Sequence, residues 1–200
     1  MKQKQKHQLV VKILIILVLA LLMALVITKN SASKHAEPVK NAEENNTLNN
    51  SPYTMQITSR AFSHLKLIPP LYTCDGQNIS PPLTIEEVPE EAKSLVLIVD
   101  DPDAPGRTFV HWTLWNISPS TSEIHENAVP QNAIQGRTDF GANRWGGPCP
   151  PSKTHRYFFK LYALDAFLDL HTSSSKSDIE QAMNGHIIAT AELIGLYTRR

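Results

Sequence analysis

Polar and apolar residues alternate from Met55 to Phe62, the two-residue period of a half-buried strand. Ser94 to Val99, SLVLIV, is a short apolar run bounded by charge, which predicts a buried strand. Phe109 to Ile117, FVHWTLWNI, and Arg156 to Leu164, RYFFKLYAL, are rich in aromatic and branched residues and predict two more. Between them lie the turn-forming stretches IPPLYTCDG, SPPL, DDPDAPG and GGPCPPS. Short strands punctuated this way indicate a mainly β, largely antiparallel domain. One helix is expected: Ser177 and Glu180 have capping-box spacing, the helix runs to about Asn184, and Gly185 stops it. Residues 187–197, IIATAELIGLY, carry apolar side chains on both parities, so a buried terminal strand and a second helix both fit. No internal repeat is visible.

The first fifty residues follow a different pattern. Residues 13–27 are fifteen consecutive apolar positions, preceded by the basic flank KQKQKHQ. Leu9 to Val11 lengthen the stretch if Lys12 reaches toward headgroups. This predicts, over residues 1–28, a signal anchor (an N-terminal transmembrane helix) or the apolar core of a secretory signal. Positive charge stays in the cytoplasm, which puts the remainder outside it, held at the inner membrane or released if the segment is cut. Residues 29–52 contain almost no large apolar side chain and read as a flexible linker. The domain is expected over residues 53–200.

Charge changes the picture by exclusion. Nineteen basic and nineteen acidic residues cancel overall, but residues 1–52 hold seven Lys and three acids. That leaves twelve basic against sixteen acidic residues in the domain, so no basic field for nucleic acid exists there. Fourteen prolines, most of them beyond residue 68, argue against long helices.

Three stretches could carry chemistry. Asp100-Asp101-Pro102-Asp103-Ala104-Pro105 closes a buried strand, and its prolines hold the carboxylates in place. His111 lies on the next strand, on one face with Phe109, Thr113 and Trp115 by simple alternation. Gly147-Pro148-Cys149-Pro150-Pro151 precedes His155-Arg156-Tyr157, where His155 and Tyr157 share a face. Each stretch also has a structural reading. The aspartates are good turn formers, a histidine among aromatics is often a satisfied core group, and Arg156 suits a structural ion pair. Asp139-Phe140-Gly141 matches a kinase metal motif, but no phosphate loop accompanies it and it is treated as chance.

Taken together, YTCDGQNISPPL (72–83), DDPDAPGRTFVHW (100–112), GRTDFGANRWGGPCPPSKTHRYFFKLYALD (136–165) and MNGHIIATAELIGLY (183–197) resemble the phosphatidylethanolamine-binding protein family, and its bacterial and archaeal branch in particular. The resemblance covers nearly all of residues 53–200. It implies an antiparallel β sandwich-like core with a few peripheral helices, and a pocket lined by Asp101, Asp103, His111, Gly147, Pro150, His155 and Tyr157. It implies a non-catalytic binding or regulatory protein for phosphate-like anions, either a small phosphorylated molecule or a phospholipid headgroup, with no cofactor and no metal. In that pocket the aspartates would orient the imidazoles and favour their charged forms. The loop Gly106-Arg107-Thr108 is shorter than in the eukaryotic branch, and Trp145 stands where bacterial relatives often carry Tyr. No counterpart of the eukaryotic C-terminal helix is expected.

Cys74 and Cys149, the two cysteines, both fall within these motifs. In an oxidising compartment a disulfide between them is chemically favoured, and it would brace one wall of the expected pocket. Two buried thiols that never meet is the alternative. Serine-protease inhibition, which occurs in the family, is a second reading, with a protease as partner. A metal-dependent hydrolase using Asp101, Asp103, His111 and His155 is a reading of another class. No HExxH or other compact ligand motif supports it.

Overall fold

The structure, a computed structural model, describes residues 54–199, and the expected N-terminal helix and linker lie outside them. Two sheets face each other. The small one has the order β1-β3-β6, from β1 (Gln56–Thr58), β3 (Leu83–Glu86) and β6 (Glu123–Ile124). The large one has the order β2-β9-β8-β4-β5-β7, from β2 (Lys66–Leu67), β9 (Ile187–Tyr197), β8 (His155–Leu164), β4 (Ser94–Asp101), β5 (Phe109–Ile117) and β7 (Ile134–Gln135). All neighbours are antiparallel except β2 and β9.

All eight residues of β4 are buried, because the strand is covered on both faces. Leu95, Leu97 and Val99 join Ile57, Leu83, Ile85 and Ile124 of the small sheet in the main core, with Trp112, Tyr157 and Phe159. Val96 and Ile98 point the other way, into a cluster with Trp115, Leu164, Ile179 and Met183 beneath a helix. Each such aliphatic side chain, fully buried, contributes about 1.5–3 kcal/mol of transfer free energy.

The expected strands at 94–99, 109–117 and 156–164 are present, and residues 187–197 form a strand paired with β8 along its length. The run from Met55 to Phe62 is strand only over Gln56–Thr58. Its partner starts at Leu83, after Pro81 and Pro82, which have no N–H to continue the ladder. Instead of a few helices, the described residues contain one α-helix, α1 (Lys176–Met183), and a three-residue 3-10 turn, Pro70–Tyr72. The cap is also two residues earlier than the spacing at Ser177 and Glu180 suggests. Ser175 accepts from the Asp178 amide, and Asp178 reaches back to the Ser175 amide. Starting there brings Lys176 into the first turn, where its ammonium meets the buried Asp100 at 2.6 Å. Among the described residues no helix is long and apolar enough to cross a membrane.

Candidate functional site

Adjacent residues of a strand point to opposite faces, so Asp100 and Asp101 part company at the end of β4. Asp100 faces α1, and Asp101 faces the sandwich side beside Val99. Asp101 is 3% exposed and both of its oxygens are engaged. One accepts the Asp103 amide at 2.8 Å, the turn that sharpens the strand exit, and the other accepts His155 Nδ1 at 2.7 Å. The turn-forming and imidazole-orienting readings of this aspartate therefore hold together.

His111 reaches the same place through a β-bulge. Val99 pairs with Trp112 and Asp100 with Val110, which leaves His111 as the extra residue of β5. The bulge overrides simple alternation. His111 packs edge-on to Tyr157, with ring centroids 5.1 Å apart, while Trp115 joins the helix-side cluster. His111 is bound twice to one residue: its ring Nδ1 lies 2.6 Å from the Gly146 carbonyl, and its own carbonyl accepts from the Gly146 amide at 3.1 Å. Burial pushes the His111 pKa down, against the raising influence of the Gly146 carbonyl and of Asp101. The aspartates do favour the charged form of His111, as expected, but desolvation outweighs them.

The third wall comes from the segment after Trp145. Trp145 packs against Trp112 and Phe159 and donates its indole N–H to the Tyr72 carbonyl at 3.2 Å, so it belongs to the core. Gly147 donates its amide to Asn78 at 2.7 Å, and a Cβ there would lie 2.4 Å from the Tyr72 carbonyl oxygen. Only glycine fits that approach. The next residues close onto the 72–76 loop: the Cys74 amide donates to the Pro148 carbonyl at 3.1 Å, and Cys74 and Cys149 form a disulfide.

These walls enclose a hollow of about 210 Å³. Of the expected lining, Asp101, His111, Pro150, His155 and Tyr157 are brought together. Asp103 and Gly147 are not. Asp103 turns outward to Arg156, accepting from its amide and guanidinium at 2.7–2.9 Å. Those bonds hold the Asp103 carboxyl down at about 2. Gly147 shapes the wall from behind. Cys149 and Pro151 belong to the lining as well, so the disulfide does brace one wall.

Phe109 and Phe140 complete the rim with Ala104 and Pro105, and none of these four was in the expected lining. Phe140 is half exposed, its ring 4.9 Å from Phe109 and 5.4 Å from His111. A Cβ on Gly146 would strike the Phe140 ring at 2.2 Å. The Asp-Phe-Gly triplet is thus no accident of the surface. Asp139 accepts the Val110 amide at 2.7 Å and both Arg107 nitrogens at 2.9 Å, which seats Phe140 over the site.

The Tyr157 hydroxyl is fully buried and set against the Asp101 carboxylate and the Cys149 backbone. Burial first, then the Asp101 charge, pushes its pKa well above the phenol range. It remains a neutral donor, turned toward Asp101. A larger hollow, about 360 Å³, lies by Leu67, Pro69, Pro70 and Tyr197. Its one ionised lining group, Asp75, is already held by Tyr197 and Arg199, so it lacks convergent free polar groups.

Comparison with known proteins follows the same residues. A model of the family described as phosphatidylethanolamine-binding protein matches residues 58–198. The chain belongs to the phosphatidylethanolamine-binding protein family. It is 51% identical over 150 residues to a UPF0098 protein of Methanothermobacter thermautotrophicus, covering 72% of this chain and 99% of that one. A UPF0098 protein of Aquifex aeolicus is 49% identical over 152 residues, covering 72% and 89%. Among solved structures, a Chlamydia trachomatis protein described as a homologue of this family superposes with a TM-score of 0.70 at 47% identity, covering 73% of this chain and 98% of that one. The Escherichia coli protein YbcL, described as a new member of the mammalian family, superposes with a TM-score of 0.69 at 35% identity, covering 73% and 99%.

Proposed function

We propose that this family member is a non-catalytic binding protein whose 210 Å³ hollow takes the phosphate end of a small ligand or of a phospholipid headgroup. The observation that carries the reading is the convergence of two imidazoles and the Tyr157 phenol on one concavity. Imidazole N–H and phenol O–H groups are donors suited to a ligand oxygen. The size favours a headgroup over an acyl chain.

The same geometry weighs against a hydrolytic metal centre. Among the described residues no three His, Cys, Asp or Glu side chains are disposed to hold a metal ion. Asp101 is spent on His155 and a turn, Asp103 on Arg156, and His111 Nδ1 on a carbonyl.

Calorimetric titration of the full chain with inorganic phosphate and O-phosphoethanolamine tests the reading. Binding should be saturable, and Tyr157→Phe should weaken it about tenfold, the worth of one hydrogen bond to a charged group, while leaving the unfolding midpoint near its original value. His155→Ala is a poor probe, because it strands the buried Asp101 carboxylate. No heat with either ligand, or equal binding by Tyr157→Phe, would refute the proposal.

The reading extends to place. The apolar run at 13–27 behind a basic flank supports tethering or export, with the domain on the extracytoplasmic side. The bridge between Cys74 and Cys149 fits an oxidising compartment. A C-terminal tag should be digested by protease added to spheroplasts and spared in intact cells; recovery of the chain in the cytosol would overturn this.

A further inference from the structure

The two hollows share a ridge. Cys149 lines the hollow of about 210 Å³, and the disulfide joins it to Cys74, with the Cα atoms 5.4 Å apart. The next residue, Asp75, lines the hollow of about 360 Å³. A second link runs through the sheet. His155 lines the small hollow, and Tyr197, its partner in the β8–β9 ladder, lines the large one. Residues directly opposite across two strands lie on one face. His155 and Tyr197 therefore serve the two hollows from the same face and the same end of the large sheet. Both cysteines are exposed, so the ridge is a step on the surface and not a partition in the core.

The hollows differ in chemistry. The small one gathers two imidazoles, a phenol and a carboxylate. The large one offers little to a polar group. Pro69 and Pro70 have no N–H. The Ile68 amide is spent on the Leu196 carbonyl at 2.8 Å. The Pro69 carbonyl accepts the Tyr72 amide at 3.1 Å, and the Pro70 carbonyl accepts the amide and hydroxyl of Thr73 at 3.0 and 2.9 Å. Asp75 accepts from the Tyr197 hydroxyl at 2.8 Å and from Arg199 at 3.2 Å. The remaining lining is aliphatic: Leu67, 61% exposed, with Ile68 and the two pyrrolidine rings. Water in such a place finds few partners, and an apolar group that displaces it gains affinity.

Resting on the reading that the small hollow takes a phosphate end, we infer that the ligand is a single-chain amphiphile. Its phosphate-bearing head fills the small hollow, and its alkyl or acyl chain crosses the disulfide and lies in the large hollow. One apolar hollow beside one polar hollow matches one chain on one headgroup. The class is that of a lysophospholipid, a phosphodiester with one tail, and not free phosphate or a tailless phosphorylated metabolite.

The test is calorimetric titration of the full chain with phosphoethanolamine diesters carrying methyl, butyl, hexyl and octyl chains, each below its micelle concentration. Affinity should rise about two- to fourfold for each methylene that leaves water, from the methyl to the octyl ester. Leu67→Asp puts a charge on the rim of the large hollow at a side chain already mostly in solvent, and should lower the ratio of octyl to methyl affinity at least about tenfold. Phe167→Ser removes an equally exposed apolar side chain beyond the far end of β8, and should leave that ratio as it was. Octanol, which has the tail and no phosphate, should bind at least about tenfold more weakly than the octyl ester. Equal affinity for methyl and octyl esters, or an octyl-to-methyl ratio that Leu67→Asp does not lower, would overturn the inference and leave the small hollow's role standing. Octanol binding as tightly as the octyl ester, or no binding by any ester, would overturn the reading of the small hollow, and this inference with it.

Discussion

Asp100 and Asp101 are neighbours in sequence, identical in type and both almost fully buried, yet they do opposite things. Asp100 looks toward α1 and meets two ammonium groups, Lys160 at 2.9 Å and Lys176 at 2.6 Å. Those lysines keep a fifth to a quarter of their side chains in solvent, and the face is closed by Ile179 and Met183. Its charge is met by two ammonium groups and its surroundings are filled, so it holds the helix to the sheet. Asp101 meets one imidazole and one amide, on a side where the packing stops short and leaves a hollow. The carboxylates differ in the packing around them and not in their own bonding, since both Asp101 oxygens are also taken.

Four experiments bear on that contrast. The largest effect should come from removing the disulfide, which lies on the Asp101 side only. Replacing both Cys74 and Cys149 by Ser frees a loop spanning 75 positions, and urea unfolding should show a loss of about 4 kcal/mol. Next, Asp100→Ala strands two ammonium groups, for a loss of about 3 kcal/mol in the same assay. Phosphate affinity should be unchanged at temperatures where the variant is folded; a fall in affinity would erase the division between the two faces.

Asp101→Asn should reverse the pattern. It loses about 2 kcal/mol, since the amide still accepts from the Asp103 N–H. It should lower phosphate affinity about tenfold, because an amide N–H facing His155 forces the other tautomer; unaltered binding would remove Asp101 from the site.

The smallest effect is on pH. The folded pKa of His111 lies below its ordinary value, so the unfolded chain binds the proton more readily. His111 thus contributes stability that is present above about pH 6.5 and is lost as acid is added through that value toward the lower folded pKa. His111→Gln should flatten the fall in the urea midpoint between pH 7 and pH 5; an unchanged slope would assign it to other groups.

Much of the fold was legible because burial on both faces leaves a plain mark. SLVLIV has no polar face to alternate with, and β4 has no exposed residue. The short strands β2, β3, β6 and β7 left no such mark, since two to four residues carry no period. The helix start was misjudged by two residues because SSSKSDIE contains two capping spacings. Local chemistry cannot choose between them, whereas the reach of Lys176 to Asp100 can. At the site, residue types were readable and directions were not. Asp103 and Gly147 sit in the right stretches but face Arg156 and Tyr72. Phe140 looked incidental until Gly146 and Asp139 held it against His111.

Family, sheet strands and the reactive residue types were therefore determined by sequence, because motif order and burial are properties of the chain taken a few residues at a time. Which side of β4 would be filled and which left hollow was decided in three dimensions. A single bulge at His111 and a disulfide spanning 75 positions set the walls of that hollow. Both depend on contacts between segments too far apart along the chain for any local pattern to register.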